Sequence, residues 1–341
     1  MRTAIMGAGS LGTIIGAFLS REGVSVELID TNVAHVEALN RHGATVNGFT
    51  ECTVPVIAYT PDQMNGTYDL VLLLTKQTYN QQVLSALLPF LHSDSIVCTL
   101  QNGVPEERVA AIVGRERVIG GAVGFGATWN GPGVSQLTTP LETVARYAFE
   151  IGELDGSDSS RIRHVQELLG HVGGCHVVFN LLSIKWSKLL INATFSGMSA
   201  ALGCTFGDVL EDERAMACVA QIADETIKVA HAQDIRLTHM QGEDLEELAL
   251  APGETFLVKM PIYRHVFAPH AALKASMLQD LERGLPTEID WMNGLICQKG
   301  RELGIPTPFN DRVVALVKAA EASGVRPDTH QNLAKMLGEQ W

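Results

Sequence analysis

Hydrophobic residues in the first half of the chain come in short runs that alternate with glycine turns and helical segments. Residues 2–6 form an apolar run, "GAGSLG" follows at once, and "VSVELID" at 24–30 alternates before it ends on an acid. Continuous apolar runs such as 70–74 are typical of a sheet covered on both faces. Further strands are predicted at 44–47 and 51–59 (as a hairpin), 69–75, 95–100, 117–123, 146–152 and 175–179.

From about residue 180 the strand pattern stops, and the periodicity predicts helices. They cover 184–202, 207–233, 241–250, 269–283, 288–303 and 310–322, and a polar stretch follows after about 325. Strands and helices followed by helices alone predict two domains. We expect an α/β, Rossmann-type dinucleotide-binding domain at 1–180, an all-helical substrate and catalytic domain at 181–330 and a tail at 331–341. The cleft between the domains is the expected site.

Composition and charge exclude several classes of function. The 341 residues carry a net charge of −13 and show no basic run, so nucleic acid is not an expected partner. No apolar run reaches about 18 residues, and "MRTAIMGAG" enters a strand directly, so neither a membrane span nor a signal peptide is predicted. The six cysteines and eleven histidines show no metal-ligand spacing. These features predict a cytoplasmic protein with reduced cysteines and no metal site.

The glycine turn after the first strand has the spacing of a dinucleotide-binding motif. Gly7, Gly9 and Gly12 fit G-x-G-x-x-G between a strand and a helix, and Asp30 ends the second strand. Such a loop lets backbone N–H groups at a helix N-terminus approach a pyrophosphate. A carboxylate at Asp30 would accept hydrogen bonds from ribose hydroxyls and repel a 2′-phosphate, which favours NAD over NADP. The alternative for Asp30 is a turn or N-cap residue before "NVAHVEAL".

A polar stripe interrupts the otherwise apolar helix predicted at 184–202. Lys188, Asn192, Ser196 and Ser199 follow one another at spacings of four, four and three, and Lys185 extends the stripe by one turn. Burying an ammonium without a partner costs several kcal/mol. The stripe therefore either has partners elsewhere in the chain or lines a cleft for a polar ligand, whereas a lysine that only reaches the surface would not explain the Asn and Ser residues.

Four further residues stand where chemistry could occur. Lys76 and Asn102 each follow a buried strand, at the ends where ligands of such sheets bind, although Lys76 could be a surface lysine and Asn102 a turn residue of "NG". Ser276 and Glu288 begin predicted helices. Ser276 could be an N-cap, and Glu288 could serve the helix dipole after a Thr287 N-cap.

Five blocks together resemble the ketopantoate reductase family, in order and spacing and over nearly the whole chain. They are "GAGSLG", "TKQTYN", "QNGV", "KLLINATFSGMSA" and "SMLQDLERGLPTEIDWMNG". The resemblance implies NAD(P)H-dependent reduction of a 2-oxo acid to a 2-hydroxy acid, as by a 2-dehydropantoate 2-reductase of pantothenate biosynthesis. It implies Lys188 as general acid, Glu288 as the residue that orders it, and substrate contacts from Asn102, Asn192, Ser196 and Ser276. The cofactor residues implied are Gly7, Ala8, Gly9, Ser10, Leu11, Gly12, Asp30, Lys76 and Asn102.

Two departures from the family pattern keep alternatives open. The family usually has asparagine where this chain has Ser196, and a basic residue near Asp30. An NAD-dependent D-2-hydroxyacid dehydrogenase of the same fold is therefore one alternative, and a nicotinamide-binding sensor without turnover is another. The apolar segment 252–268 is expected to cover the substrate. The expected partner is a small 2-oxo acid, and the chain itself is a candidate homodimer.

Overall fold

The computed structural model describes residues 1–240 and 242–338. They form two compact units, which we call the sheet unit (1–101 and 105–181) and the helical unit (102–104 and 182 onward). The short segment 102–104 therefore belongs with the helical unit, although it follows a strand of the sheet unit.

The sheet unit is built from short strands whose side chains are mostly buried. In chain order they are β1 (Thr3–Met6), β2 (Val26–Ile29), β3 (Ala44–Gly48), β4 (Cys52–Val54), β5 (Ile57–Tyr59), β6 (Tyr68–Leu73), β7 (Leu91–Thr99), β8 (Val118–Val123), β9 (Ala127–Gly131), β10 (Val134–Leu137), β11 (Phe149–Glu153) and β12 (Cys175–Val177). Its helices are α1 (Ser10–Arg21), α2 (Val33–His42), α3 (Asn80–Leu87), α4 (Glu106–Val113), α5 (Leu141–Tyr147) and α6 (Ser160–Gly170).

The main sheet has the order β12-β11-β8-β7-β6-β1-β2-β5. The strands from β8 to β5 run parallel, and β11 pairs antiparallel with β8. The chain moves outward from β1 to β2 on one side and to β6 on the other. Strand order thus reverses at β1, and α/β sheets bind ligands at the carboxyl ends of such strands.

A second sheet, β4-β3-β10-β9, packs against α1, which also contacts β1 and β2 of the main sheet. The prediction of a hairpin at 44–59 is confirmed for β3 and β4, whereas β5 instead extends the main sheet. Strands β9 and β10 were missed, because "ATWNGPGVSQL" is interrupted by a Gly-Pro-Gly turn and lacks a regular alternation. Helix α1 is therefore covered on two sides, which explains why Ile14, Ile15, Phe18 and Leu19 are all buried.

The helical unit consists of helices around one apolar core. They are α7 (Leu181–Ile191), a π-helical turn (Asn192–Ser196), α8 (Gly197–Leu202), α9 (Phe206–Glu211), α10 (Glu213–His231), α11 (Met260–Phe267), α12 (Ser276–Glu282), α13 (Asn293–Leu303), α14 (Pro308–Ser323) and α15 (Thr329–Leu337). Two-residue strands β13 (His239–Met240) and β14 (Glu243–Asp244) precede a 3₁₀ turn at Leu245–Leu248. The Phe195 and Phe267 rings stack with centroids 3.6 Å apart inside the core.

Several predicted helices have different limits. The helix expected at 207–233 divides at Asp212, whose carboxylate accepts the N–H groups of Arg214 and Ala215 and so starts α10. The helix expected at 241–250 is a 3₁₀ turn instead, and its residue 241 lies outside the described residues. The one expected at 269–283 is α-helical only over α12, and α11 lies before it, in the segment expected to cover the substrate.

The expected tail at 331–341 is also corrected as far as residue 338. Leu333, Met336 and Leu337 of α15 are buried in the helical core, and the last three residues of the chain lie outside the described part. This apolar face is not evident in the sequence, because polar residues surround the few apolar residues of α15. Among the described residues, no helix is long and apolar enough to cross a bilayer.

Candidate functional site

The loop between β1 and α1 holds the predicted dinucleotide motif in a defined shape. The N–H groups of Gly7 and Ala8 both donate to the Ile29 carbonyl oxygen, at 2.9 and 3.1 Å. Helix α1 begins at Ser10 with Gly9 as its N-cap. The first-turn N–H groups of an α-helix have no partner within the helix, so those of Ser10, Leu11 and Gly12 are available to an anion.

The glycines of this loop serve two different purposes. A Cβ atom at Gly12 would lie 2.2 Å from the Gly7 carbonyl oxygen, so the fold itself requires glycine there. A Cβ atom at Gly9 would meet no atom within 4 Å. Glycine at position 9 thus leaves space beside a helix N-terminus that the described protein atoms do not fill, which fits a bound pyrophosphate.

Two predicted cofactor residues lie beside this loop. Asp30 follows Ile29, which anchors the loop, and its Oδ1 accepts the Asn32 N–H at 2.9 Å. The turn interpretation of Asp30 is thus correct in part, but the N-cap of α2 is Asn32. Lys76 is half-buried and follows Thr75, whose backbone N is 2.7 Å from where a Gly7 Cβ would lie. Both residues therefore stand at the carboxyl edge around β1.

A buried amide cluster joins the segments that follow β6 and β7. The Gln101 Nε2 donates to the Thr75 carbonyl oxygen and to Asn80 Oδ1, both at 2.6 Å, while Asn80 Nδ2 donates to Gln101 Oε1 at 3.1 Å. These bonds hold the segments just before Lys76 and Asn102. Positive φ in the "QNG" turn falls on Gly103 and not on Asn102, so backbone geometry alone does not demand asparagine at 102.

The polar stripe of the helical unit coincides with a π-helical turn. The Gly197 N–H donates five residues back to the Asn192 carbonyl oxygen. The Thr194 hydroxyl donates to the Leu190 and Ile191 carbonyl oxygens, at 2.7 and 3.1 Å. Such turns are rare and occur often at functional sites. Four residues rotate through slightly more than one full turn of an α-helix and through slightly less than one full turn of a π-helix. These two differences cancel along the stripe. Lys188, Asn192 and Ser196 therefore stay on one line.

These three side chains lie at the border of the core and not within it. Lys188, Asn192 and Ser196 are half-buried, while Leu189, Ala193 and Phe195 beside them are fully buried. The Nδ2 of Asn192 is inaccessible to solvent and has no hydrogen-bond partner in the part of the chain that the structure describes. A buried donor without an acceptor is costly, so this amide gains a hydrogen bond if it turns toward the surface of the half-buried residue and meets a polar substrate oxygen there.

A buried polar network holds the π turn in place. Asn293, at the start of α13, donates from Nδ2 to the Ala193 carbonyl oxygen at 3.0 Å and to Asn310 Oδ1 at 2.9 Å. Asn310 in turn donates to Glu225 Oε2 at 2.8 Å, and Glu225 accepts the backbone N–H groups of Phe309 and Asn310. Burial raises the pKa of Glu225, and these hydrogen bonds oppose that shift. Sequence reasoning missed this network, because its members are isolated polar residues in three separate helices.

Ser199, the last residue of the stripe, has a structural role. It is fully buried, donates to the Cys204 carbonyl oxygen at 2.6 Å and accepts the Ala275 N–H at 3.2 Å. This second bond ties the start of α12 to α8 and places Ser276 beside the stripe's helix. Ser276 is exposed, and it begins α12 without capping it, so the predicted N-cap is wrong.

Glu288 lies in a connecting turn and not in a helix. A 3₁₀ turn spans Ile289–Trp291, and α13 begins only at Asn293. The predicted Thr287 N-cap is therefore wrong, because Thr287 precedes the 3₁₀ turn by two residues and donates to Glu321 at 2.6 Å. Glu288 is half-buried, five residues before the asparagine that holds the π turn. The helix-dipole explanation for Glu288 thus does not apply.

The predicted residues divide between the two units. The helical unit contains all the predicted catalytic and substrate residues: Asn102, Lys188, Asn192, Ser196, Ser276 and Glu288. The sheet unit contains the other predicted dinucleotide residues, all but Asn102: Gly7, Ala8, Gly9, Ser10, Leu11, Gly12, Asp30 and Lys76. Convergence of Lys188, Asn192, Ser276 and Glu288 on one substrate pocket stays a prediction. Within the described residues, no cluster of three or more histidine, cysteine or acidic side chains could hold a metal.

Comparison with known proteins gives consistent results for both units. Residues 3–148 match the family described as ketopantoate reductase PanE/ApbA, and 180–321 match its C-terminal part. The chain is 28% identical to a 2-dehydropantoate 2-reductase of Pyrococcus horikoshii, over 95% of this chain and 99% of the relative. It is similar to D-mandelate dehydrogenase in a ternary structure with NADH and anilino(oxo)acetate, with a TM-score of 0.83, 27% identity and coverage of 95% and 99%. A ketopantoate reductase structure from Ralstonia eutropha gives a TM-score of 0.80 at 26% identity, with the same coverage.

Proposed function

Because the chain belongs to the ketopantoate reductase family, we propose that it reduces a 2-oxo acid to the 2-hydroxy acid on the residues described above. Family membership makes it a nicotinamide-dependent oxidoreductase of the 2-dehydropantoate 2-reductase type. The observation that carries the site assignment is the unpaired, buried Asn192 Nδ2 beside the half-buried Lys188. These two groups offer a donor and a cation on one face of one helix.

Each side chain has a distinct part in this proposal. The reduced nicotinamide, when bound, supplies a hydride to the carbonyl carbon. Lys188 stabilises the negative charge that develops on the carbonyl oxygen and donates the proton to it. Asn192 and Ser276 hold the substrate, and Glu288 keeps Lys188 charged and oriented. Ser196 and Asn102 complete the contacts, with a shorter side chain at 196 than the amide usual in the family.

A panel of 2-oxo acids tests the proposed function. We would follow NADH and NADPH absorbance with 2-dehydropantoate, with branched aliphatic 2-oxo acids and with phenylglyoxylate. Turnover of at least one acid by the wild-type protein, and its loss in Lys188→Ala, is expected. Dinucleotide binding without turnover of any acid would instead support a nicotinamide sensor.

An NAD-dependent D-2-hydroxyacid dehydrogenase is a second candidate. Two observations favour it: the similarity to D-mandelate dehydrogenase, and a carboxylate at Asp30 beside the loop. The same panel decides between the candidates. Higher kcat/KM for phenylglyoxylate than for 2-dehydropantoate would favour the dehydrogenase, and the reverse order would favour the reductase.

Cofactor preference is expected to depend on the charge of Asp30. The wild type should favour NAD(H), because a carboxylate facing a 2′-phosphate is repelled by several kcal/mol at an effective dielectric of about 20. Asp30→Ala should reduce the ratio of kcat/KM with NADH to kcat/KM with NADPH. Asp30→Asn is the matched variant, since it keeps an acceptor for the Asn32 N–H and removes only the charge. Tenfold better efficiency of the wild type with NADPH would contradict this assignment.

A homodimer is the proposed assembly. The segment 256–273 exposes Leu257, Val258 and Leu273, and large exposed apolar side chains are typical of contact surfaces. It overlaps the segment 252–268, our candidate for the substrate cover, in which Met260, Tyr263 and Phe267 are anchored in the helical core. Light scattering on the purified protein should give twice the mass of 36.8 kDa. The monomer mass, or a dimer unaffected by Leu257→Ser with Val258→Ser, would refute this surface.

A further inference from the structure

One buried histidine contacts the dinucleotide loop through a backbone carbonyl oxygen. His35 lies in the first turn of α2 and is fully buried. Its Nε2 is 2.7 Å from the Ala8 carbonyl oxygen, and its Nδ1 accepts the Gly133 N–H at 2.9 Å. The ring also packs against Trp129, with centroids 4.6 Å apart. The side chain thus connects the loop with the turn between β9 and β10.

These contacts fix the protonation state of the ring. The Gly133 N–H can only donate, so Nδ1 must be an acceptor without a proton. The single ring proton is therefore on Nε2 and is donated to the Ala8 carbonyl oxygen. His35 is neutral in this arrangement, because a second proton on Nδ1 would face the Gly133 N–H.

The bond to Ala8 determines where the next N–H points. In a trans peptide the C=O and N–H bonds of one plane point in opposite directions. Ala8 oxygen is held inward by His35 and by the Thr13 hydroxyl at 2.7 Å, so the Gly9 N–H of the same peptide points outward. Among the described residues none accepts this N–H. It points away from the protein interior at the residue where a Cβ would meet empty space.

We propose that His35 is a positioning residue for the dinucleotide: the neutral ring aims the Gly9 N–H at the pyrophosphate, and protonation of the ring weakens dinucleotide binding. The proposal rests on the proposed function only in taking the ligand to be NAD(H) or NADP(H). It concerns binding and not the proton transfer assigned to Lys188. It gives this chain a pH-dependent affinity for its cofactor.

The surroundings of His35 determine the direction of this pH dependence. Burial lowers the pKa of His35 below its ordinary 6.5, while the Ala8 carbonyl and the charge of Asp30 oppose that shift. Asp30 is the charged group that acts on the ring, and Trp129 and Thr13, which also touch it, carry no charge. The ring is therefore neutral at pH 7 and gains its proton only in acid. Dinucleotide affinity should fall with falling pH and not rise.

The test is the dissociation constant of NADH, measured by fluorescence on the full-length protein between about pH 5 and 8. For the wild type, the constant should rise as pH falls below the His35 pKa, by at most tenfold per pH unit for one proton. His35→Gln keeps an amide donor for the Ala8 oxygen without a titrating ring. It should bind NADH at pH 7 within a few-fold of wild type and lose most of the pH dependence, with kcat at saturating NADH unchanged.

Two further measurements separate positioning from a general packing effect. Thr13→Val removes the other donor to Ala8 oxygen, so its affinity should fall while its pH dependence persists. Calorimetry of the wild type near pH 6 in buffers of different ionisation enthalpy should show proton release when NADH binds, since the neutral ring is favoured.

Tighter NADH binding in acid would overturn the proposal, because it would mean that the imidazolium attracts the pyrophosphate. The same pH profile in wild type and His35→Gln would also overturn it, as would absence of proton release. None of these outcomes bears on the assay with 2-oxo acids, which tests the proposed function separately. A wild-type protein that binds neither NADH nor NADPH would instead refute the proposed function itself.

Discussion

Replacing Lys188 by alanine should lower kcat by about three orders of magnitude. General acid catalysis contributes roughly 10²–10⁴-fold and a lost oxyanion partner about 10²–10³-fold, but one group performs both tasks here, so the factors are not multiplied. Lys188→Met is the sharper variant, because it keeps the aliphatic length and removes only the amine. Steady-state kinetics with the best 2-oxo acid of the panel would measure the effect.

The dissociation constant of NADH should barely change in these variants, since Lys188 belongs to the helical unit and the loop to the sheet unit. Lys185, one turn earlier on the stripe, is an unsuitable control because it is only 1% exposed. Lys299→Ala is a better one, since Lys299 is partly exposed and pairs with Glu302 on the same helix. Near-wild-type kcat in Lys188→Met would mean that the proton comes from another group.

Replacing Gly9 by alanine should abolish tight dinucleotide binding while the protein stays folded. The added methyl meets no described protein atom within 4 Å, so the melting temperature should fall only by the small cost of alanine at a helix N-cap. In the complex, the methyl would occupy the space assigned to the pyrophosphate and displace it from the N–H groups of α1. Each charge-assisted hydrogen bond lost costs about 1.5–3 kcal/mol, which corresponds to a dissociation constant roughly 10–100-fold higher.

Gly12→Ala is the matched comparison for Gly9→Ala. A Cβ at Gly12 would collide with the Gly7 carbonyl oxygen at 2.2 Å, so this variant should lose stability as well as affinity. Comparing these two variants distinguishes a glycine that the fold requires from a glycine that leaves room for a ligand. Unchanged NADH binding in Gly9→Ala, measured by fluorescence, would show that the dinucleotide does not approach the loop at this residue.

The sequence predicted those features of the fold that local pattern controls. The β1–loop–α1–β2 unit is present, because a glycine turn between a strand and a helix is encoded within a few residues. The change from strands to helices near residue 180 is likewise visible, since the period of apolar residues changes there. Helix ends were predicted less well. Asp212 divides one predicted helix in two, and the Thr287 hydroxyl donates a hydrogen bond to Glu321 instead of capping another helix.

Residue spacing along a few turns of chain is enough to predict the dinucleotide motif, the mixed α/β and helical architecture and a row of polar residues on an apolar helix. The contacts that support these features are visible only in the folded chain. The π turn that contains Asn192 is held by Asn293, Asn310 and Glu225, which come from three later helices, each separated from the turn by at least one whole helix. His35 joins Ala8 of the loop to Gly133 of the second sheet, which lies 98 residues further along the chain than His35. Such long-range hydrogen bonds form between residues whose separation follows no period, so only the packed chain reveals them.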